Sequence, residues 1–267
     1  MQIIGEKING TRKRVAKAIA ERDAAFIKDL AVRQAEAGST WLDVNAGTRP
    51  DQEPDDLVWL INTIQPEVDI PLCLDSANPA ALKVAIEAVD KTPMINSISG
   101  EPDRLEKILP IVAEHGCQVI ALAMDDKKIP ETSDKRLEVI CKVMDATQAA
   151  GVPDDRVYCD PLAMTLATNT NSAMVAFETM RGIKQAFPDV HLTIGLSNIS
   201  FGLPARKYVN RTFLTLAMQA GLDSAILDPL DHDMQAAILA AALVLGSDRH
   251  CLNYVRASRA GFFDENK

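Results

Sequence analysis

Apolar residues in this chain gather into short runs that end on a polar side chain, and the arrangement repeats. The runs are Gln2–Ile4, Trp41–Asn45, Leu72–Asp75, Met94–Asn96, Val119–Asp125, Val157–Asp160, Leu192–Asn198 and Ala225–Asp228. Most are followed by apolar residues at helical spacing. After the third run, Asn78 reads as an N-cap with Pro79 at the first helical position, and Leu82, Ala85, Ile86 and Val89 mark one helix face. After the fourth, Leu105, Ile108, Leu109 and Val112 stand on one face of a helix. Ser133 or Asp134 caps a later helix whose face carries Leu137, Ile140, Cys141 and Met144, and a final helix near Met234–Leu245, rich in alanine and leucine, reads as packed on the wall of the fold.

The strand-like runs lack polar/apolar alternation. Leu72-Cys73-Leu74 and Val119-Ile120-Ala121-Leu122 are continuously apolar, as strands buried on both faces are. Eight such runs, most leading into a helical pattern, predict a (β/α)8 TIM barrel; a doubly wound open sheet would show the same strands, and the count of eight together with the absence of a G-x-G-x-x-G turn after the first strand favours the barrel. With 267 residues, close to the roughly 250 of one barrel, residues 1–267 read as a single domain. Catalytic side chains of such barrels sit where strands end. That directs attention to Asp43, Asn45, Asp75, Asn96, Asp125, Asp160, Asn198 and Asp228.

Composition narrows the class. A hydrophobic fraction of 47% suffices for a barrel core and an outer helical layer. The net charge of −9 argues against nucleic acid or an anionic membrane as the main partner. Ala236–Gly246, the longest apolar run, is too short to span a bilayer, and nothing near Met1 resembles a signal peptide, so the expected location is cytoplasmic. Cys73, Cys117, Cys141, Cys159 and Cys251 are odd in number and scattered, which suits buried free thiols in a reducing compartment. His115, His191, His232 and His250 form no H-E-x-x-H and no Cys/His cluster, so no metal site is expected; Asp231-His232-Asp233 reads as solvated surface. Nucleophile-elbow and Walker sequences are lacking as well.

Asp75 and Asp160 emerge directly from apolar runs, where a carboxylate is costly unless something donates to it. Helix capping by Asp75 or Ser76 is one answer. The other is that Asp75 and Asp160 accept hydrogen bonds from the donor-rich edge of an aminopyrimidine ring such as a pterin. Asn96 both donates and accepts, which suits a mixed ring edge, and also suits a turn. Asn198, in Gly195-Leu196-Ser197-Asn198-Ile199-Ser200, offers a neutral amide on a close-approach turn. Glu6, Asp43 and Asn45 read either as supports behind these groups or as interior hydrogen bonds holding the loops.

These residues carry a pattern. From I-I-G-E-K-I-N-G (Ile3–Gly10) through L-D-V-N-A-G, L-C-L-D-S, M-I-N-S, D-P-L and G-L-S-N-I-S to N-R-T-F-L (Asn210–Leu214), the chain resembles the methyltetrahydrofolate:corrinoid protein methyltransferases and the folate-binding module of cobalamin-dependent methionine synthase. The resemblance implies a pterin-binding barrel, usually a homodimer. It implies that Asp75, Asn96 and Asp160 hold the pterin, that Asn198 contacts N5 and is the catalytic residue, and that Gly195, Ser197, Arg206 and Ile226 line the pocket. Phe201 departs from the corrinoid/iron–sulfur protein enzymes, which have Gln after S-N-x-S, and looks more like the methionine-synthase pattern. Dihydropteroate synthases share the fold, but Ile8-Asn9-Gly10-Thr11 followed by Arg12, Lys13 and Arg14 lacks their D-S-F. They remain an alternative, as does a folate-binding protein without transfer activity.

The implied reaction moves a methyl group between N5 of tetrahydrofolate (5-methyltetrahydrofolate when loaded) and the cobalt of a corrinoid. No D-x-H-x-x-G segment for base-off cobalamin is visible, and Asp231-His232-Asp233-Met234 does not fit it. The corrinoid is therefore expected on a separate, transiently docking protein. Acetogenesis and the demethylation of methylated substrates, O-demethylation included, both suit such an enzyme. With no strong acid beside Asn198, a hydrogen-bond network rather than one general acid is expected to stabilise protonated N5.

Overall fold

The computed structural model describes residues 1–126 and 128–264. Of the domain expected over 1–267, residues 127 and 265–267 lie outside the described residues. Eight parallel strands form one sheet: β1 (Gln2–Asn9), β2 (Trp41–Asn45), β3 (Leu72–Asp75), β4 (Met94–Ser99), β5 (Gln118–Leu122), β6 (Val157–Asp160), β7 (His191–Leu192) and β8 (Ser224–Leu227). Their order is β7-β6-β5-β4-β3-β2-β1-β8. Chain-order neighbours pair all the way round, so the sheet curls into the expected barrel. The last seam, between β7 and β8, is held by little: Ile226 N–H donates to Ile194 O at 2.9 Å, Gly195 bridges to Ile226, and Ser224 Oγ lies 3.1 Å from Thr193 Oγ1. The barrel is nearly closed.

The outer layer is helical: α1 (Lys13–Glu21), α2 (Ala24–Glu36), α3 (Glu53–Ile64), α4 (Pro79–Ala88), α5 (Pro102–Lys107), α6 (Leu109–His115), α7 (Ser133–Ala149), α8 (Ser172–Ala186), α9 (Arg206–Gln219), α10 (His232–Val244) and α11 (Leu252–Arg259). Asn78 caps α4 as its sequence predicts, accepting from Ala80 N–H at 3.1 Å. The single helix expected after the fourth strand is broken at Ile108, because Pro110 has no N–H to return to the preceding turn and its ring crowds the carbonyl there. Ile108, Leu109 and Val112 are buried nonetheless. The cap of α7 is Thr132, not Ser133 or Asp134, and the buried face of that helix is rotated from the expected one: it carries Arg136, Val139, Ile140, Val143, Met144 and Thr147. Cys251 is exposed, against the expectation of a buried thiol, because it lies past α10 on a surface turn. His232 and Asp233 are exposed, as expected of solvated surface, while Asp231 caps α10 and His232 stacks on Phe262.

Two strand limits differ in ways that matter for the site. β5 stops at Leu122, leaving Asp125 in the loop beyond. β7 has two residues, and Leu196–Ser200 coil into a 3-10 turn closed by Asn198 N–H to Gly195 O at 3.3 Å. Serine and asparagine side chains compete with strand pairing, and three of the five residues of this turn are of those types. Asn198 therefore rides on a turn rather than ending a strand.

Candidate functional site

Two buried clusters divide the core. One lies between the sheet and the helices; the other fills the barrel and consists of Ile4, Trp41, Cys73, Met94, Ile120 and Tyr158, with Leu122 and Ile226 against it. Side chains of a strand alternate faces, so the residue two positions later points into the barrel one layer higher. Above Ile4, Trp41, Cys73, Met94, Tyr158 and Ile226 that rule places Glu6, Asp43, Asp75, Asn96, Asp160 and Asp228. The apolar floor is thus roofed by a ring of carboxyl and carboxamide groups. Gln2 seals the floor from below, accepting from Trp41 Nε1 at 3.2 Å and from the Tyr158 hydroxyl at 3.0 Å.

The ring has a hydrogen-bonded arc on β2–β4. Asn45 Nδ2 donates to Asp75 Oδ2 at 2.8 Å, and Asn96 Nδ2 donates to Asp43 Oδ1 at 3.2 Å. Asp43 is buried, and desolvation, reinforced by the charge of Asp75, holds its carboxyl well above the ordinary range. Asp75 is raised as well, chiefly by burial, with Asn45 opposing the shift. Asp75 caps no helix, since Asn78 does that. Ser76 is occupied too: its hydroxyl donates to Glu53 Oε1 at 2.6 Å and accepts from Asn78 N–H at 3.0 Å.

Asp160 on β6 stands apart from this arc. Its Oδ1 accepts from Leu162 N–H at 2.7 Å and its carboxylate also takes the Gly195 N–H; burial outweighs both and pushes it up to about 6. Gly195 begins the turn carrying Asn198, and a Cβ built on it would stand 3.1 Å from Asn198 Nδ2, so the absence of a side chain there lets the carboxamide fold back over the strand end. Asn198 is exposed, and its carboxamide makes no hydrogen bond among the described residues. Arg206 braces the same turn, donating from Nε to Ser200 Oγ at 2.9 Å and from Nη2 to Ser197 O at 2.5 Å. With β7 four strands from β3 in an eight-stranded ring, Asn198 and Asp75 occupy opposing arcs of the mouth.

The structure therefore brings Glu6, Asp43, Asn45, Asp75 and Asn96 together on one arc and Asp160, Gly195, Ser197, Asn198, Arg206 and Ile226 on the other. Asp125 lies in the loop beyond β5, where its Oδ1 accepts from Lys128 N–H at 3.5 Å. Sequence reasoning missed Lys7, whose Nζ donates to Asp228 Oδ2 at 2.6 Å, and the role of Arg12, whose Nη2 meets Glu6 Oε1 at 2.7 Å. It also missed Arg136, although a charged residue on the apolar face of α7 was a readable signal. Lys7 and Arg12 neutralise two members of the ring. Asp43, Asp75 and Asp160 have no cationic side chain within ion-pair distance among the described residues. Three carboxyl groups without an ion-pair partner among the described residues, above an apolar floor, suit a flat ring that presents several N–H donors at its edge.

Comparison with known proteins agrees in kind. Residues 5–228 match the family described as pterin binding enzyme. A methylcorrinoid:tetrahydrofolate methyltransferase of Eubacterium limosum is 42% identical over 263 residues, 98% of this chain and 97% of that one. A methionine synthase of Mycobacterium tuberculosis is 32% identical over 84% of this chain, which spans 20% of that much longer protein. Among solved structures, a dihydropteroate synthase of Xanthomonas albilineans in complex with 7,8-dihydropteroate superposes with a TM-score of 0.66 at 19% identity, covering 93% of this chain and 94% of that one. At that identity the likeness speaks for the fold alone.

Proposed function

We propose that this chain, which belongs to the family of pterin-binding enzymes, is a methyltransferase moving a methyl group between N5 of tetrahydrofolate and the cobalt of a corrinoid held by a separate protein. The observation that carries the reading is the set of inner-ring acceptors Asp43, Asp75 and Asp160, none in an ion pair among the described residues, in a chain 42% identical along nearly its whole length to an enzyme named for that reaction. The residues fit a pterin. Asp75 and Asp160 accept from the N–H groups of its aminopyrimidine edge, and Asn96, fixed by Asp43, meets a neighbouring acceptor or donor. Ile226 lies against the flat ring, and Gly195 keeps the strand end low enough to admit it. Glu6, Asp43 and Asn45 orient the groups that touch it.

Asn198 is the catalytic residue. A carboxamide accepts through Oδ1 from an N5 that carries a proton and donates through Nδ2 to one that does not, so it serves N5 on both sides of the transfer without bearing charge. Ser197 and Arg206 hold it on its turn. The corrinoid, supplied by the partner, gives or takes the methyl at cobalt. Everything else asked of this chain is to bind the pterin, aim N5 out of the mouth and manage its proton.

The relative's name puts the methylcorrinoid first, and the same order here would make tetrahydrofolate the acceptor, as in the demethylation of methylated substrates. A cytoplasmic homodimer accommodates this role. No helix among the described residues is long and apolar enough to cross a membrane. An apolar groove of about 390 Å³ between α8 and α9, edged by Tyr208 and Leu216, is the surface we assign to the second copy.

Calorimetric titration with 5-methyltetrahydrofolate, wild type beside Asp160→Asn, tests the binding half of this reading. Loss of a hydrogen bond to a charged acceptor predicts a weakening of about tenfold or more. A wild type that releases no heat at concentrations suited to micromolar affinity would sink it.

A further inference from the structure

Arg136 is 2% exposed, on the buried face of α7, and no carboxylate pairs with it among the described residues. Its donors go to main-chain oxygens. Nε reaches Pro130 O at 2.9 Å in the segment after β5, and Nη1 reaches Pro161 O and Leu162 O, each at 2.7 Å, in the segment after β6. One guanidinium thus ties two loops at the barrel mouth. Burying a charge for that purpose is costly, and desolvation lowers its proton affinity. Nearby, Leu162 holds a left-handed backbone with φ 67°, a conformation that a β-carbon disfavours and that needs outside support. Leu162 N–H is the donor that grips Asp160 Oδ1.

We propose that Arg136 is a positioning residue for pterin binding: by holding the Pro161–Leu162 carbonyls it keeps the Leu162 N–H aimed at Asp160 and places a buried positive charge behind that carboxylate. The proposal rests on the reading of Asp160 as a pterin acceptor. Its two parts separate cleanly. A fork that serves carbonyls in two directions is a property of arginine alone, whereas lysine supplies the charge without the fork. Of the ionisable side chains around Asp160, Arg136 is the charged one; Cys159 is the other neighbour, and burial drives its thiol pKa far up, so it stays neutral.

The test measures 5-methyltetrahydrofolate affinity between pH 5 and pH 8.5 for wild type, Arg136→Met and Arg136→Lys, with thermal melts as a check of folding. Arg136→Met is expected to bind about tenfold more weakly at pH 8 and to move the acidic midpoint of binding upward, since the carboxylate loses its nearest positive charge. Arg136→Lys is expected to keep the wild-type midpoint while remaining weakened at pH 8. Folded variants that match the wild type in affinity and midpoint would overturn the proposal. So would loss of the fold in both, which would make Arg136 a purely structural tie. A wild type that binds nothing would instead refute the pterin reading beneath it.

Discussion

At Asp160, burial and hydrogen bonding pull in opposite directions, and burial wins. Its carboxyl is raised to about 6 in the folded chain from 3.8, so the folded state binds its proton more tightly than the unfolded one. The corresponding stability is fully present below pH 3.8 and is lost as pH rises through 6, a change of up to about 3 kcal/mol. Asp160→Asn has no such proton to lose. Between pH 4 and pH 7 the unfolding free energy of the wild type should therefore fall relative to that of Asp160→Asn, as read by urea denaturation; parallel curves would show an ordinary carboxyl. Ligand binding has the opposite slope, because only the carboxylate accepts, so wild-type affinity should decline below about pH 6. Asn198 separates binding from chemistry. Asn198→Ala should leave folate affinity within about threefold and cut turnover by about a hundredfold, the scale of losing one polar contact made at the reacting atom. Equal losses in both would make it a binding residue. The acceptors of the β2–β4 arc and Asp160 were legible in the sequence because each ends an apolar run. Lys7 and Arg12 were not: a barrel places β1 beside β8 but does not say that Lys7 reaches Asp228, and Arg12 meets Glu6 only because the chain after β1 turns back over the strand.

Among the elements, the strands were read more surely than their ends. β2, β3 and β6 have the limits their patterns predict, whereas β5 and β7 end early. A polar residue beyond an apolar run marks the end of burial, and burial continues past the strand wherever a loop folds back over the mouth. The split between α5 and α6 has a local signal, Pro110, outweighed in the reading by an unbroken apolar face. Contacts between loops are harder still to foresee. A Cβ on Gly10 would lie 1.8 Å from Ala46 O, because the loops after β1 and β2 cross there backbone to backbone. Gly10→Ala should cost about 2 kcal/mol or more in denaturant unfolding, as overpacking against unyielding backbone does. A loss under about 0.5 kcal/mol would mean that the two loops part freely.

For the molecule as a whole, the periodic pattern identified the barrel because alternating strand and helix leaves few ways to bury continuously apolar strands. What it did not reveal is the outer surface. Tyr208 is 60% exposed and Leu216 50% exposed beside the α8–α9 groove, although both lie in a helix that reads from sequence as merely amphipathic. If a second copy covers that face, the wild type should sediment as a dimer and Tyr208→Glu as a monomer, with the barrel fold retained; a monomeric wild type would remove the assignment.

Methyl transfer itself is the most direct question. Methylcobalamin and tetrahydrofolate, incubated anaerobically with the wild-type protein and then assayed for 5-methyltetrahydrofolate by chromatography, should yield product in proportion to enzyme, and Asn198→Ala should yield almost none. A protein that binds tetrahydrofolate tightly yet transfers no methyl group, from methylcobalamin or from a methylated corrinoid protein, would contradict the assignment and leave a folate-binding barrel without this chemistry.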